Sequence, residues 1–439
     1  MPCTRTAANA RKMMALDPAV LCPLLLSGVA HAQACDPAGL LASSADYRVG
    51  NGPRGITMGD FNGDGVLDLA TCNSAGGDVS VLMGLGDGAF GPLRRVSYGP
   101  GPWGIRAIAS ADFDGDGNAD LAVADAVAGG VVVLAGLGDG SFGPARTWAA
   151  GTLPIRLATA DLDSNGHADL IVADDLEGAV SVLLSRGAAG FDPATPYPTG
   201  MFASKILPAD FDGDGILDLA VCNRGSEASL LVGLGNGTFE AAEDLGFSAV
   251  ALATADFDGD GVLDLAAMRG AFADRLAIHR GLGDGSFGPA TQIPFSWRTT
   301  DIEAADLDGD GAVDVVATSG AQDLVWMRRG LGDGGFERPF NFAVGEEPQQ
   351  LIVIDADGNG SPDLATANEA SGDASVLLNR CQPPCRPDLD GDGALTIFDF
   401  LTFGNLFDLT DPRADFDGDG DFTIFDFLAF QNAFDAGCG

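Results

Sequence analysis

Histidine is nearly missing from this chain: three residues in 439, of which only His167 and His279 lie beyond the N-terminal segment. That scarcity leaves no histidine set for zinc and no ready base for a hydroxyl or thiol nucleophile, and no nucleophile motif accompanies either residue. His167 falls inside an acidic loop and His279 in an apolar stretch, so both read as structural. Cations are scarce as well, 23 Lys and Arg against 63 Asp and Glu, for a formal net charge of −40. So acidic a body repels phosphate backbones, which argues against nucleic acid as a partner. Membrane-length apolar runs are also lacking. The N-terminal run "AVLCPLLLSGVA" (19–30) is too short to cross a bilayer, so no transmembrane segment is expected.

Aspartate, by contrast, recurs at fixed spacing. "DFDGDGNAD" places Asp112, Asp114, Asp116 and Asp120 at positions one, three, five and nine, with Gly117 at six. Carboxylates so crowded repel one another unless a cation sits among them, and Ca²⁺ takes six to eight oxygens. The pattern begins like an EF-hand loop but closes at position nine and runs into a strand, "DLAVAD". It occurs seven times, 46 to 52 residues apart. The other candidate ligand sets are Asp60, Asn62, Asp64 and Asp68; Asp161, Asp163, Asn165 and Asp169; Asp210, Asp212, Asp214 and Asp218; Asp256, Asp258, Asp260 and Asp264; Asp306, Asp308, Asp310 and Asp314; and Asp355, Asp357, Asn359 and Asp363.

Each period holds an apolar segment ending at the first Asp, the loop, an apolar strand, a polar turn, a second apolar strand, a glycine turn and an outer segment. Four short strands per period, with near-continuous apolar runs, predict an all-β fold of blades stacked radially: a seven-bladed β-propeller. Turns such as "GDGAF" (86–90) and "GNGTF" (235–239) predict hairpins with positive φ at Asp-Gly or Asn-Gly. The third period has a looser "RGAAGF" (186–191), and the seventh ends after "SVLLNR" (375–380) without an outer strand. "YRVGNGPRGI" (47–56) has the pattern of an outer strand with no blade before it, so residues 45–50 are predicted to complete the seventh blade.

These repeats resemble FG-GAP or VCBS repeats, the calcium-loop propeller unit of integrin α-subunits and many bacterial secreted proteins. The resemblance spans residues 45–380 and implies a calcium-binding propeller that engages extracellular partners; fold alone does not choose among functions.

The N-terminus reads as a signal peptide over residues 1–34: Arg5, Arg11 and Lys12 precede the apolar run, and "AQA" (32–34) offers small residues for cleavage. Cleavage there would leave Cys35 first. A lipoprotein would prefer leucine where Ala32 stands, so plain secretion is the preferred reading, with the protein extracellular or cell-surface associated. Cys72 and Cys222 occupy equivalent strands of blades too far apart to pair, and read as small buried apolar groups. Export favours disulfides among Cys35, Cys381, Cys385 and Cys438. A Cys385–Cys438 bridge would add roughly 4 kcal/mol in the chain-entropy model, and Cys35–Cys381 would staple the closing strand.

After Cys385 the pattern changes. "DLDGDGALTIFD" (388–399) and "DFDGDGDFTIFD" (415–426) have EF-hand length, with Asp388, Asp390, Asp392 and Asp399, then Asp415, Asp417, Asp419 and Asp426, at positions one, three, five and twelve. Phe-rich runs at helical spacing follow each loop. Residues 381–439 therefore resemble a dockerin, a paired-loop module that attaches secreted proteins to cohesins, here in a cysteine-bracketed form. Together the chain would offer up to nine Ca²⁺ sites. Ile397, Phe398, Ile424 and Phe425 stand where well-known dockerins carry partner contacts, and are read as core of a small domain.

Five cations, Arg54, Arg106, Arg156, Lys205 and Arg298, fall five to eight residues before a loop's first Asp, and Trp103 and Trp297 lie beside them. In a propeller these positions ring the channel mouth opposite the calcium loops. They are candidates to bind an extracellular protein or an acidic polysaccharide through charge and stacking; the competing reading has them balancing nearby acids. The sequence thus favours a non-enzymatic binding or adhesion module. A polysaccharide-degrading component, carbohydrate-binding or glycoside-cleaving, and a structural surface-layer protein are the alternatives.

Overall fold

A computed structural model describes residues 40–97, 104–200, 202–224, 226–269, 275–295 and 298–381, together with 401–403, 406–407, 427 and 430. Seven four-stranded antiparallel sheets follow one another along the chain. Blade one is representative: Pro53–Gly59 innermost, then Asp68–Asn73, Asp78–Leu82 and the outer Arg94–Val96. Each inner strand packs against the inner strand of the next blade, and Pro348–Ile354 of blade seven returns to Pro53–Gly59, so the ring is closed.

Burial follows strand position. The two middle strands of blade one are buried at every residue, which is why they read as continuous apolar runs. The outer strand is mostly exposed, and the inner strand half-buried where it meets the channel. The core is accordingly split into seams between neighbouring blades rather than gathered in one centre. One seam joins Phe61, Cys72, Val79 and Val81 of blade one to Ile105, Ile108, Leu121 and Val123 of blade two. Aromatic pairs repeat at these seams: the residue after a loop's first Asp meets the Phe ending the next blade's glycine turn, as in Phe61–Phe142 (5.6 Å), Phe211–Phe287 (5.9 Å) and Phe257–Phe336 (5.8 Å). Cys72 and Cys222 are free and buried, and burial pushes their thiols up to about 12 and about 11.

The closing strand stands where the sequence places it, over Ala45–Arg48 rather than 45–50. It pairs with Asp373–Leu377 in the register Ala45 to Val376 through Arg48 to Asp373. The bridge continues through Leu41 and Asn379, and the Ala42 N–H donates to Leu378 O (2.8 Å). The glycine turns differ from expectation in detail. Positive φ falls on Gly86 (84°) and Gly88 (74°), not on the Asp87 between them, whose carboxylate instead accepts the Ala89 N–H (3.1 Å). Two glycines take the left-handed conformations and leave Asp87 free to cap its own turn. In blade three, which lacks that pair, Gly187–Ala189 forms a single 3-10 turn.

The signal-peptide segment, the EF-hand-length loops, Cys35, Cys385 and Cys438 lie outside the described residues. Near the C-terminus, Phe403 stacks on Phe430 with ring centroids 4.4 Å apart.

Candidate metal centres

Each inner strand delivers its chain end into an aspartate loop, and the loop is wound around its own carboxylates. In blade two Asp112 Oδ1 accepts the N–H groups of Gly115 (2.7 Å) and Asp116 (3.2 Å), and its Oδ2 accepts that of Gly117 (2.9 Å). Asp114 accepts the Asp116 N–H (3.2 Å), and Asp116 the Asn118 N–H (2.8 Å). The buried Asp120 ties the loop to the blade, accepting from Phe113 N (2.9 Å) and from Gly136 N (2.7 Å) at the end of the third strand. Gly117 has φ 88° and nothing within 4 Å of where a Cβ would stand, so its backbone conformation, not lack of room, requires glycine.

The result is a set of oxygen clusters. Ligand atoms from Asp112, Asp114 and Asp120 lie within 4.8 Å of one another, as do those of Asp161, Asp163 and Asp169, of Asp210, Asp212 and Asp218, of Asp256, Asp258 and Asp260, and of Asp306, Asp308 and Asp314. Burial, reinforced by the neighbouring loop aspartates and opposed by the backbone N–H donors, pushes Asp120, Asp169 and Asp363 up to about 6 and Asp314 up to about 7. Asp163 Oδ1 and Asp258 Oδ1 are buried without any hydrogen-bond partner. Oxygen-only donors, clustered and in part buried, with two oxygens lacking a hydrogen-bond partner among the described residues, fit a hard divalent cation such as Ca²⁺. The ion would neutralise each cage and fix the turn.

His167, at position seven of the third loop, packs so tightly on the second that a Cβ on Gly115 would collide with its ring. His279 stacks on Phe247, 3.7 Å between centroids, and burial lowers its pKa.

Adjacent loops are also tied across the seams. The carbonyl of the residue after the first Asp accepts a hydrogen bond from the next blade: Phe61 O from Gly140 N (2.9 Å), Leu162 O from Gly237 N (3.0 Å), Phe211 O from Gly285 N (3.2 Å) and Phe257 O from Gly334 N (2.9 Å). Where the glycine turn is missing a side chain takes over, Ser185 Oγ on Phe113 O (2.7 Å) and Asn379 Nδ2 on Leu307 O (2.6 Å).

At the opposite end of the inner strands the five cations part company. Arg54 pairs with Glu369 of blade seven (2.6 Å). Lys205 reaches past blade five to Asp301 (2.9 Å) and Glu303 (2.6 Å) of blade six; burial works against its charge, but the two carboxylates outweigh it and raise its pKa. Counter-ion balance thus accounts for these two. Arg156 donates only to Ile155 O (3.0 Å) among the described residues, and burial lowers its pKa against the pull of Asp301. Arg106 Nε is buried with no hydrogen-bond partner among the described residues. Arg298 is exposed with φ 52°, while Trp103 and Trp297 lie outside the described residues. Sequence reading missed the acids Asp301, Glu303 and Glu369. The first two sit on an inner strand at the height of Lys205, a signal visible only once the repeats are aligned.

The family profile described as FG-GAP-like repeat matches residues 60–123, 112–172, 161–221, 210–267, 268–317 and 306–366. No curated protein matches the chain. Among solved structures, BBS1N in complex with ARL6DN aligns with TM-score 0.55 and 11% identity, over 78% of this chain and 97% of that one. The BP39L lectin from Burkholderia pseudomallei aligns with TM-score 0.59 and 15% identity, over 75% and 97%. At such identity the likeness is one of fold.

Proposed function

Because the chain belongs to the FG-GAP-like repeat family, we propose that it is an exported, calcium-stabilised propeller that binds an extracellular partner, tethered through a dockerin-like segment at its C-terminus. The observation that carries this reading is the contrast between the two ends of the inner strands. One end repeats the same oxygen cage, and the other varies from blade to blade, with Arg106 and Arg156 lacking a carboxylate partner among the described residues. Repetition suits a structural ion, and variation suits recognition. Propellers of similar fold include one solved in complex with a protein and one described as a lectin, so the architecture hosts either kind of partner. Under this reading the guanidiniums of Arg106 and Arg156 select an anionic group, such as the carboxylate of an acidic polysaccharide.

The test is to present the full chain to glycan and protein arrays in millimolar calcium and in chelator. Calcium-dependent, salt-sensitive capture that Arg106→Ala/Arg156→Ala abolishes supports the reading. Capture that ignores those substitutions moves the site elsewhere, and absence of any capture leaves the scaffold alternative.

A further inference from the structure

Three of the seven loops contain a cation of their own. In blade five Arg280, immediately before the glycine turn, places Nε 2.8 Å from Asp258 Oδ2 and Nη2 2.6 Å from Asp260 Oδ2. In blade six Arg329, at the same repeat position, pairs with Asp308, with Asp310 (3.3 Å) and with Glu337 (3.6 Å). In blade three Arg186, two residues further along, reaches Asp163 Oδ2 and Asp192 Oδ2, each at 2.7 Å. The residues equivalent to Arg280 in blades one, two and four are Met83, Ala135 and Val232. No basic side chain pairs with Asp114 or Asp212 among the described residues.

The geometry at position three is divided. Asp163 and Asp258 each give Oδ2 to the arginine, and each keeps Oδ1 buried and unpartnered. In blade six the second oxygen of Asp308 keeps the contact to its loop backbone, accepting the Asp310 N–H (3.2 Å), that Asp114 and Asp212 also make. An arginine on the outer oxygen therefore leaves room for an ion on the inner side while holding the carboxylate in place.

We propose that Arg186, Arg280 and Arg329 are built-in counter-ions that make blades three, five and six less dependent on calcium than blades two and four. Without an ion, a guanidinium offsets the mutual repulsion of the loop carboxylates. With one, it reduces the net negative charge that attracts Ca²⁺, a quantity that sets affinity in oxygen cages. Both effects shrink the gain from calcium in the same blades. Blade three is the extreme case, since Asn165 replaces one carboxylate and Ser164 takes φ 55° where the other six loops have glycine. The inference rests on the calcium reading above, and its test separates the two.

The full chain, Arg280→Ala/Arg329→Ala and the control Arg95→Ala are melted in millimolar calcium and in chelator. Arg95 pairs with Asp78 (2.9 Å), away from the loops. Amide exchange is followed in chelator over residues 112–120, 210–218, 256–264 and 306–314. In the unsubstituted chain, 256–264 and 306–314 should exchange about tenfold more slowly than 112–120 and 210–218. The double substitution should erase that difference and lower Tm in chelator more than in calcium, by on the order of 2 °C, whereas Arg95→Ala should cost the same in both. Equal exchange in all four loops, or a double-variant loss independent of calcium, overturns the inference while the calcium reading stands. An unsubstituted chain that melts alike in both media overturns both.

Discussion

The two ends of the inner strands obey opposite rules. At the loop end, Asp60, Asp112, Asp161, Asp210, Asp256, Asp306 and Asp355 head near-copies of one cage, and the buried Asp at position nine accepts the same two backbone N–H groups in blade after blade. At the mouth, the residues in the place of Arg156 are Gly55, Ala107, Lys205, Ala251, Asp301 and Gln350. A ring that must close on itself constrains the geometry of every blade equally, so what repeats is what builds the ring. What varies is free of that constraint and available for selection of a partner.

The largest effect expected on this contrast is loss of the ion. Each cage occupied at a hundred times its Kd contributes about 2.7 kcal/mol by linkage, so chelation should lower Tm steeply, read by thermal melting with and without millimolar calcium. Coincident melts would reduce the loop end to ordinary turns.

Next in size is removal of a position-nine carboxylate. Asp314 accepts from Leu307 N and Gly330 N, both 2.9 Å away, and Asp314→Ala orphans both donors. Measured in chelator, where metal loss plays no part, it should cost roughly 2–4 kcal/mol. Asp116→Ala on the exposed rim of loop two should cost about 1 kcal/mol or less. Equal costs would show that the cage is not anchored through position nine.

The pH dependence should reverse with calcium. The folded-state carboxyls of Asp120, Asp169, Asp363 and Asp314 are raised by burial to about 6, about 6, about 6 and about 7, above the value of 3.8 for an unperturbed side chain. A raised carboxyl contributes stability that is full below the unfolded pKa and lost as pH rises through the folded one. Metal-free protein should therefore melt higher near pH 4.5 than near pH 7.5. The ion binds only the ionised form, so the calcium-dependent increment should be largest at pH 7.5 and shrink toward pH 5. A melting series in both media checks both signs.

The smallest stability effects belong to the mouth. Arg106→Ala and Arg156→Ala break no ion pair among the described residues and should shift stability by no more than about 0.5 kcal/mol while weakening partner capture. Lys205→Ala should be costlier, because Asp301 and Glu303 would lose their shared counter-ion. If all three behave alike, the mouth is as structural as the loops.

Local chemistry made most of the ring legible in advance. The loop spacing, the apolar middle strands and the unmatched segment at 45–50 each carry their meaning in a short window. The pairings at the mouth do not. Lys205 meets Asp301 and Glu303 from 96 and 98 residues away, and Arg54 meets Glu369 from 315. Such contacts join different blades, one pair between ring neighbours and one skipping a blade, so no short window of sequence announces them. Arg280 and Arg329 left a fainter trace, a charge where aligned repeats carry Met83, Ala135 and Val232. The turn glycines misled for another reason: the dipeptide rule assumes a two-residue turn, and the chain uses a longer one with Asp87 as a cap.

The closing strand has a consequence for synthesis. Ser375 Oγ donates to Asp46 Oδ1 (2.7 Å) across 329 residues, so the first strand to leave the ribosome waits for the last blade before it finds its place. Entropy scarcely penalises the delay, since doubling a loop's length adds only about 0.6 kcal/mol. Time does: at about 5–20 residues per second, Ala45–Arg48 stays unpaired for tens of seconds. Six blades can assemble in order behind it, each hooked to its predecessor through a loop carbonyl. The seventh is a vacancy that any chain bearing a matching first strand can fill. Until residues 373–377 have emerged, Ala45–Arg48 remains an unpaired edge.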